Sequence, residues 1–121
     1  MLNIELRVCG KLNEYLKQST RKIRFDKRLI EIGMQRLAYN TFGCESIVSN
    51  VNTFNGEYNA LIDVSLTVEK LRLTDETIDV IDNQFIPMID GTYDETFDYM
   101  TIFIIVKDDL GNKYEKEHTI L

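Results

Sequence analysis

Alternating apolar and polar residues mark two half-buried strands in this chain. Apolar side chains occupy every second position over residues 2–8, and the pattern ends at Gly10. The same alternation returns over residues 58–68, shortly after Asn55-Gly56. Because an Asn-Gly pair accepts the positive φ angles of a type I′ turn, these two residues predict a β-hairpin.

A period of three and four residues indicates one long amphipathic helix over about residues 26–42. Asp26 suits the N-cap position, and Gly43 stands where helices commonly end in the left-handed conformation. The apolar stripe is broad, which predicts that a sheet covers the helix. Its members are Leu29, Ile30, Ile32, Gly33, Met34, Leu37, Ala38 and Thr41.

The remaining segments are shorter and less regular. Residues 20–25 and 77–81 have the pattern of short strands, and residues 82–96, which contain the single proline, have that of a long loop. Residues 99–106 are apolar on both faces, which is typical of a central strand or of a strand that meets a partner. Residues 113–121 are predicted to return as a more polar strand.

These elements combine into a single α+β domain, residues 1–121. One main helix (about 26–42) is predicted to pack on a curled antiparallel sheet of five to seven strands. The length of 121 residues and the hydrophobic fraction of 44% suit one apolar core. Two cysteines are too few for a disulfide scaffold, and the sequence leaves open whether Cys9 and Cys44 are bridged.

Charge is unevenly distributed along the chain. The net charge is −6, but residues 1–36 carry nine basic and four acidic side chains, whereas residues 37–106 carry two basic and twelve acidic ones. Residues 75–98 include eight acids and no base. A block of one sign attracts a partner of the opposite sign and repels nucleic acid, so nucleic acid is not expected as a partner.

The acidic segment predicts a surface that binds a protein partner with a basic surface. Aromatic residues are interspersed with the acids, and aromatic side chains are enriched in interface cores. The alternative is a solvated acidic face that only keeps the protein soluble. The predicted partner-binding residues are Asp79, Asp82, Asp90, Tyr93, Asp94, Glu95 and Asp98.

No motif for catalysis, for a cofactor or for a metal is recognisable. The glycines are scattered without a phosphate-binding pattern, and the single histidine, His118, has no serine-hydrolase motif to work with. A dyad of His118 with Cys9 or Cys44 would need the fold to bring them together. Calcium would need the carboxylates of residues 90–98, whose spacing is not that of an EF-hand. We therefore expect no catalytic, cofactor-binding or metal-binding residues.

These observations favour a small non-enzymatic protein–protein interaction module, such as an inhibitor, an immunity protein or a viral or mobile-element accessory protein. One alternative is a structural or assembly subunit of the virion or tail type, a homo-oligomer in which strand 99–106 meets a neighbouring copy. Another is a small-molecule-binding α+β domain. The longest apolar run is too short to span a bilayer and no signal-peptide layout is present, so we expect no membrane association and a cytoplasmic location.

Overall fold

The computed structural model describes residues 1–120 and confirms the α+β architecture, with helices packed on one antiparallel sheet. The strands are β1 (Leu2–Leu12), β2 (Ile47–Asn55), β3 (Asn59–Val68), β4 (Phe97–Asp108) and β5 (Lys113–Ile120). The helices are α1 (Gln18–Arg24), α2 (Lys27–Phe42), α3 (Asp75–Val80) and α4 (Ile86–Tyr93), and one π-helical turn (Ile81–Phe85) joins α3 to α4. The five strands lie in the order β2-β3-β1-β4-β5.

β1 forms the centre of the sheet because its alternating pattern supplies a complete apolar face. It pairs antiparallel with β3 on one side and with β4 on the other, so that Ile4 lies between Leu66 and Val106. All three side chains are buried. The apolar positions of the five strands thus point to one face, and the helices cover that face.

α2 has the boundaries that its sequence predicts. The Asp26 side chain accepts a hydrogen bond from the Leu29 amide at 3.1 Å, and Gly43 ends the helix with a φ of 72°. Met34 and Leu37 are buried against the core, as the periodicity requires. The apolar stripe of α2 is nevertheless wider than the surface that packs against it, because Leu29 and Ile32 on its margin remain exposed.

Three segments that were predicted to be strands or a loop are mostly helical, so the fold has more than one helix. Residues 20–25, predicted as a strand, lie mostly in α1. Residues 77–81, predicted as a strand, and most of residues 82–96, predicted as a loop, belong to the helical run from α3 to α4. Thr74 caps α3, since its hydroxyl oxygen accepts a hydrogen bond from the Thr77 amide at 3.2 Å. Pro87 lies in the first turn of α4, directly after the π-helical turn, where the regular α-helical hydrogen bonding changes.

The predicted β2–β3 hairpin is present, but its turn is not of type I′. Asn55 pairs with Ala60, and the Gly56 amide donates to the Asn59 carbonyl at 2.9 Å, which places the centre of the turn at residues 57–58, two residues later than predicted. Gly56 does not have a positive φ. The Tyr58 carbonyl accepts a hydrogen bond from the Leu12 amide at 2.7 Å, so a tertiary contact fixes this turn.

None of the helices in the described residues covers the second face of the sheet, and we call it the open face. Strand register assigns its side chains, because residues directly opposite each other share a face. Its central members are Glu5, Arg7, Cys9, Lys11, Leu61, Asp63, Ser65, Tyr99, Thr101, Phe103, Ile105 and Lys107, and its flanks carry Asn50, Asn52, Phe54, Lys113, Glu115 and Glu117.

Candidate functional site

The acidic segment folds into one helical run rather than a loop. α3, the π-helical turn and α4 follow one another without a break over residues 75–93. At 1.5 Å per residue this run is about 28 Å long. Its carboxylates therefore fall into separate groups, at the start, at the π-helical turn and at the end.

The group at the start of the run has a structural explanation. Asp75 and Glu76 lie in the first turn of α3, and Asp79 follows one turn later. Backbone amides point outward at a helix N-terminus, so negative side chains there lower the free energy of the helix. All three carboxylates are exposed.

Asp82, in the π-helical turn, attaches the run to β5. Its carboxylate accepts a hydrogen bond from the Tyr114 hydroxyl and lies 3.2 Å from the Lys116 ammonium. Burial, together with the hydrogen bond to this carboxylate, raises the pKa of Tyr114 to about 12. The negative charge of Asp82 is thus neutralised within the molecule.

The group at the end of the run has no such explanation. Asp90 lies in the last turn of α4, Asp94 caps it, and Glu95 follows. We call these three residues the acidic helix end. Arg24 of α1 approaches them: its Nη1 donates to the Thr92 carbonyl at 3.3 Å, and its Nη2 lies 4.0 Å from the Glu95 carboxylate. No closer ion pair to the group is present among residues 1–120.

The structure disperses the other predicted partner-binding residues. Tyr93 is only 5% exposed, and burial raises its pKa to about 12, so its side chain belongs to the core. Asp98 is exposed at the start of β4, and Asp79 is exposed on α3. Of the seven residues, only Asp90, Asp94 and Glu95 form a compact surface group beside a helix terminus.

The open face holds a feature that sequence reasoning missed. Arg7 and Asp63 face each other across β1 and β3, and a groove of about 420 Å³ opens beside them. Phe103 and Ile105 line one side of this groove, and asparagine side chains of β2 line the other. The alternation placed Arg7 and Asp63 on polar faces, and residues 99–106 were predicted to be apolar on both faces, but only the strand register shows which of these residues are neighbours.

The candidate thiol–imidazole pairs are not brought together. Cys9 lies opposite Thr101 on the open face, whereas His118 lies opposite the buried Ile102 and so points to the helical face. Cys44 precedes β2, which is four strand spacings, or about 19 Å, from the strand of His118. Both cysteines are free thiols.

Over residues 1–120, no group of three or more histidine, cysteine, aspartate or glutamate side chains is arranged to hold a metal ion. Within the same residues no helix has both the length and the apolar character needed to cross a lipid bilayer.

Comparison with known proteins leaves the chain without an assigned family. No protein-family model and no curated protein matches it. Among solved structures, the fold is similar to that of a phage SAM lyase in the apo state, with a TM-score of 0.48 and 9% sequence identity. That similarity covers 97% of this chain and 87% of the other. A likeness this distant supports no conclusion about function.

Proposed function

We propose that the protein acts by binding another protein rather than by catalysis, and that the acidic helix end contacts a basic surface of its partner. An inhibitor or an immunity protein works in this way. The proposed contact surface is therefore smaller than the acidic segment as a whole. It consists of Asp94 and Glu95, which are exposed, and Asp90, which is half-buried.

The observation that carries this proposal is the position of the three carboxylates at the C-terminal end of α4. Carbonyl oxygens point outward there, so the helix end is already negative, and each added carboxylate costs about 0.3–1 kcal/mol. The first-turn acids of α3 stabilise their helix, whereas these acids destabilise theirs. Residues that lower stability without a compensating contact are typical of binding surfaces.

Arg24 offsets only part of this cost. It donates to the Thr92 carbonyl in the last turn of α4, which balances part of the negative charge of the helix end, but it approaches a carboxylate of the group only at Glu95, at 4.0 Å. An exposed ion pair at that separation contributes little free energy. The lysine and arginine side chains of a partner would provide the missing positive charge and would also increase the association rate at low salt.

The test compares two variants that remove the same number of charges. The first neutralises the acidic helix end (Asp90→Asn, Asp94→Asn, Glu95→Gln), and the second neutralises the start of the run (Asp75→Asn, Glu76→Gln, Asp79→Asn). Tagged wild-type protein is used to capture partners from the source cells, and a captured protein is purified and titrated against each variant by calorimetry.

We expect the first variant to lose about tenfold or more in affinity for that partner, and the second to stay within about threefold. The affinity of the wild type should also fall as salt is raised. Equal losses in the two variants would show that only net charge matters. A captured partner without a basic surface, or one indifferent to the first variant, would refute the proposal.

A further inference from the structure

The open face is covered by no part of the described chain, although it carries large apolar side chains at its centre. Phe103 is 37% exposed and Ile105 is 36% exposed, and Tyr99 on the same strand is 52% exposed. Across the sheet, the half-buried Leu61 and Cys9 lie opposite each other and continue the apolar surface. The groove beside Phe103 and Ile105 makes the centre of this face concave.

The charges of the open face are balanced, unlike those of the whole chain. Four basic and four acidic side chains lie on it, so its net charge is zero, while the chain as a whole carries −6. The basic residues are Arg7, Lys11, Lys107 and Lys113, and the acidic residues are Glu5, Asp63, Glu115 and Glu117. Two copies that meet through this face therefore bring no excess of one charge sign into the contact.

The size of the face also fits a stable contact between two copies. Five strands at about 4.8 Å spacing, each about 30 Å long, give roughly 700 Å² per protomer. A standard protein–protein interface buries about 800 Å² on each partner. A sheet packed on a sheet through such faces is a common arrangement, with the two layers about 10 Å apart.

We propose that the open face binds the open face of a second copy of this chain. Phe103 and Ile105 form the apolar centre of the contact, and Arg7, already held by Asp63, is enclosed by it without leaving an unpaired charge. This proposal is independent of the acidic helix end, which belongs to the helical layer and not to the open face.

The two cysteines allow a test on the unmodified protein. Cys9 is half-buried on the open face, whereas Cys44 is half-buried against the helical side of the core. We expect the rate of Cys9 alkylation, measured by mass spectrometry, to fall about fivefold or more as the protein is concentrated from about 1 to about 200 μM. Cys44 is the internal control, and its rate should not change.

Sedimentation equilibrium over the same range provides the second measurement. We expect the mass to rise from 14.1 kDa toward twice that value. The double variant Phe103→Lys and Ile105→Lys should remain monomeric, and a control with Leu29→Lys and Ile32→Lys on the margin of α2 should associate like the wild type. The acidic-helix-end variant should also associate normally, which separates this test from that of the proposed function.

A monomer throughout this concentration range, with a constant rate of Cys9 alkylation, would overturn the proposal. Association that the Leu29 and Ile32 control abolishes would also overturn it, because the contact would then lie on α2. If the double variant is unfolded by circular dichroism, Cys9 alkylation in the wild type alone decides between the outcomes.

Discussion

Arg7 holds Asp63 with two parallel hydrogen bonds at the centre of the open face. The Arg7 Nε donates to Asp63 Oδ1 at 2.7 Å and its Nη2 donates to Oδ2 at 3.0 Å. This hydrogen-bonded carboxylate raises the pKa of the Arg7 guanidinium. The two residues are directly opposite on β1 and β3, so the pair fixes the register of the central strands as well as the local charge.

Removing one partner of this pair should weaken the sheet measurably but not severely. We expect Asp63→Asn to lower the free energy of unfolding by about 0.5–1 kcal/mol, because the pair is partly exposed and solvent screens it. Urea denaturation of dilute protein measures the effect. Glu117→Gln, which removes an exposed carboxylate from the same row of the face, is the control and should change stability by less than about 0.3 kcal/mol. Equal effects would show that the pair contributes nothing specific.

The core beneath α2 gives a larger expected effect. Leu37 is 7% exposed, so Leu37→Ala should leave a cavity and lower the free energy of unfolding by about 2–4 kcal/mol. Leu29 lies on the same helix but is 50% exposed, and Leu29→Ala should cost less than about 1 kcal/mol. The two urea midpoints would coincide if the helix buried a different face.

The sequence predicted elements whose signals are local and mutually consistent. The alternation in β1 and β3 predicted both strands correctly, because both lie inside the sheet with one face buried. The bounds of α2 were also predicted, because Asp26 and Gly43 end the helix through contacts with the adjacent backbone alone. The prediction failed where a local pattern was short. Residues 20–25 alternate like a strand, yet Ile23 is 60% exposed in α1, so its apolar character does not report burial.

Two further errors have different causes, the first local and the second tertiary. Pro87 indicated a loop, but it lies in the first α-helical turn after a π-helical turn, within a helical run, and the N-cap Thr74, a local signal for the start of that run, was overlooked. The Asn55-Gly56 turn is displaced by the hydrogen bond between Leu12 and Tyr58, which no local pattern encodes. For the same reason the pairing of Arg7 with Asp63 needed the register of two strands far apart in sequence.

Two glycines should respond to alanine with opposite signs. A Cβ atom at Gly10 would lie 1.9 Å from the Tyr99 carbonyl oxygen, so β1 and β4 would have to move apart. We expect Gly10→Ala to lower the free energy of unfolding by more than about 2 kcal/mol. At Gly33, inside α2, nothing lies within 4 Å of the added atom, and Gly33→Ala should raise stability by about 0.5–1 kcal/mol. Urea denaturation distinguishes the two, and a neutral Gly10→Ala would show that the strands are farther apart than described.

Asp108 should make stability depend on acidic pH. The Asn112 side chain donates to its carboxylate at 3.0 Å, and the amides of Asn112, Leu110 and Leu73 also donate, which together lower the pKa of Asp108. A depressed pKa in the folded state stabilises the fold above the unfolded value of about 3.9, and this contribution is lost as pH falls through the folded pKa.

We therefore expect Asp108→Asn to be less stable than the wild type at pH 7, and the difference to shrink below about pH 4. Urea midpoints measured between about pH 2.5 and pH 7 test this expectation. Asp98→Asn is the control, because Asp98 is exposed at the start of the same strand and makes no side-chain hydrogen bond or ion pair among residues 1–120, so the pH-dependent difference should appear only for Asp108→Asn. A difference that persists at low pH would assign the effect of Asp108→Asn to packing rather than to ionisation.

The acidic helix end predicts that one substitution will improve stability and impair binding together. Asp94 is the C-cap residue of α4, where the helix dipole has its negative end. The negative charge of Asp94 is therefore unfavourable there, and Asp94→Asn should raise the free energy of unfolding by about 0.3–1 kcal/mol. The gain should decline in high salt, since salt screens exposed charges. Asp75→Asn, at the favourable end of α3, should instead lower stability by a similar amount. If Asp94→Asn proved destabilising, its carboxylate would be serving the fold, and the argument that it is retained for a partner would fail.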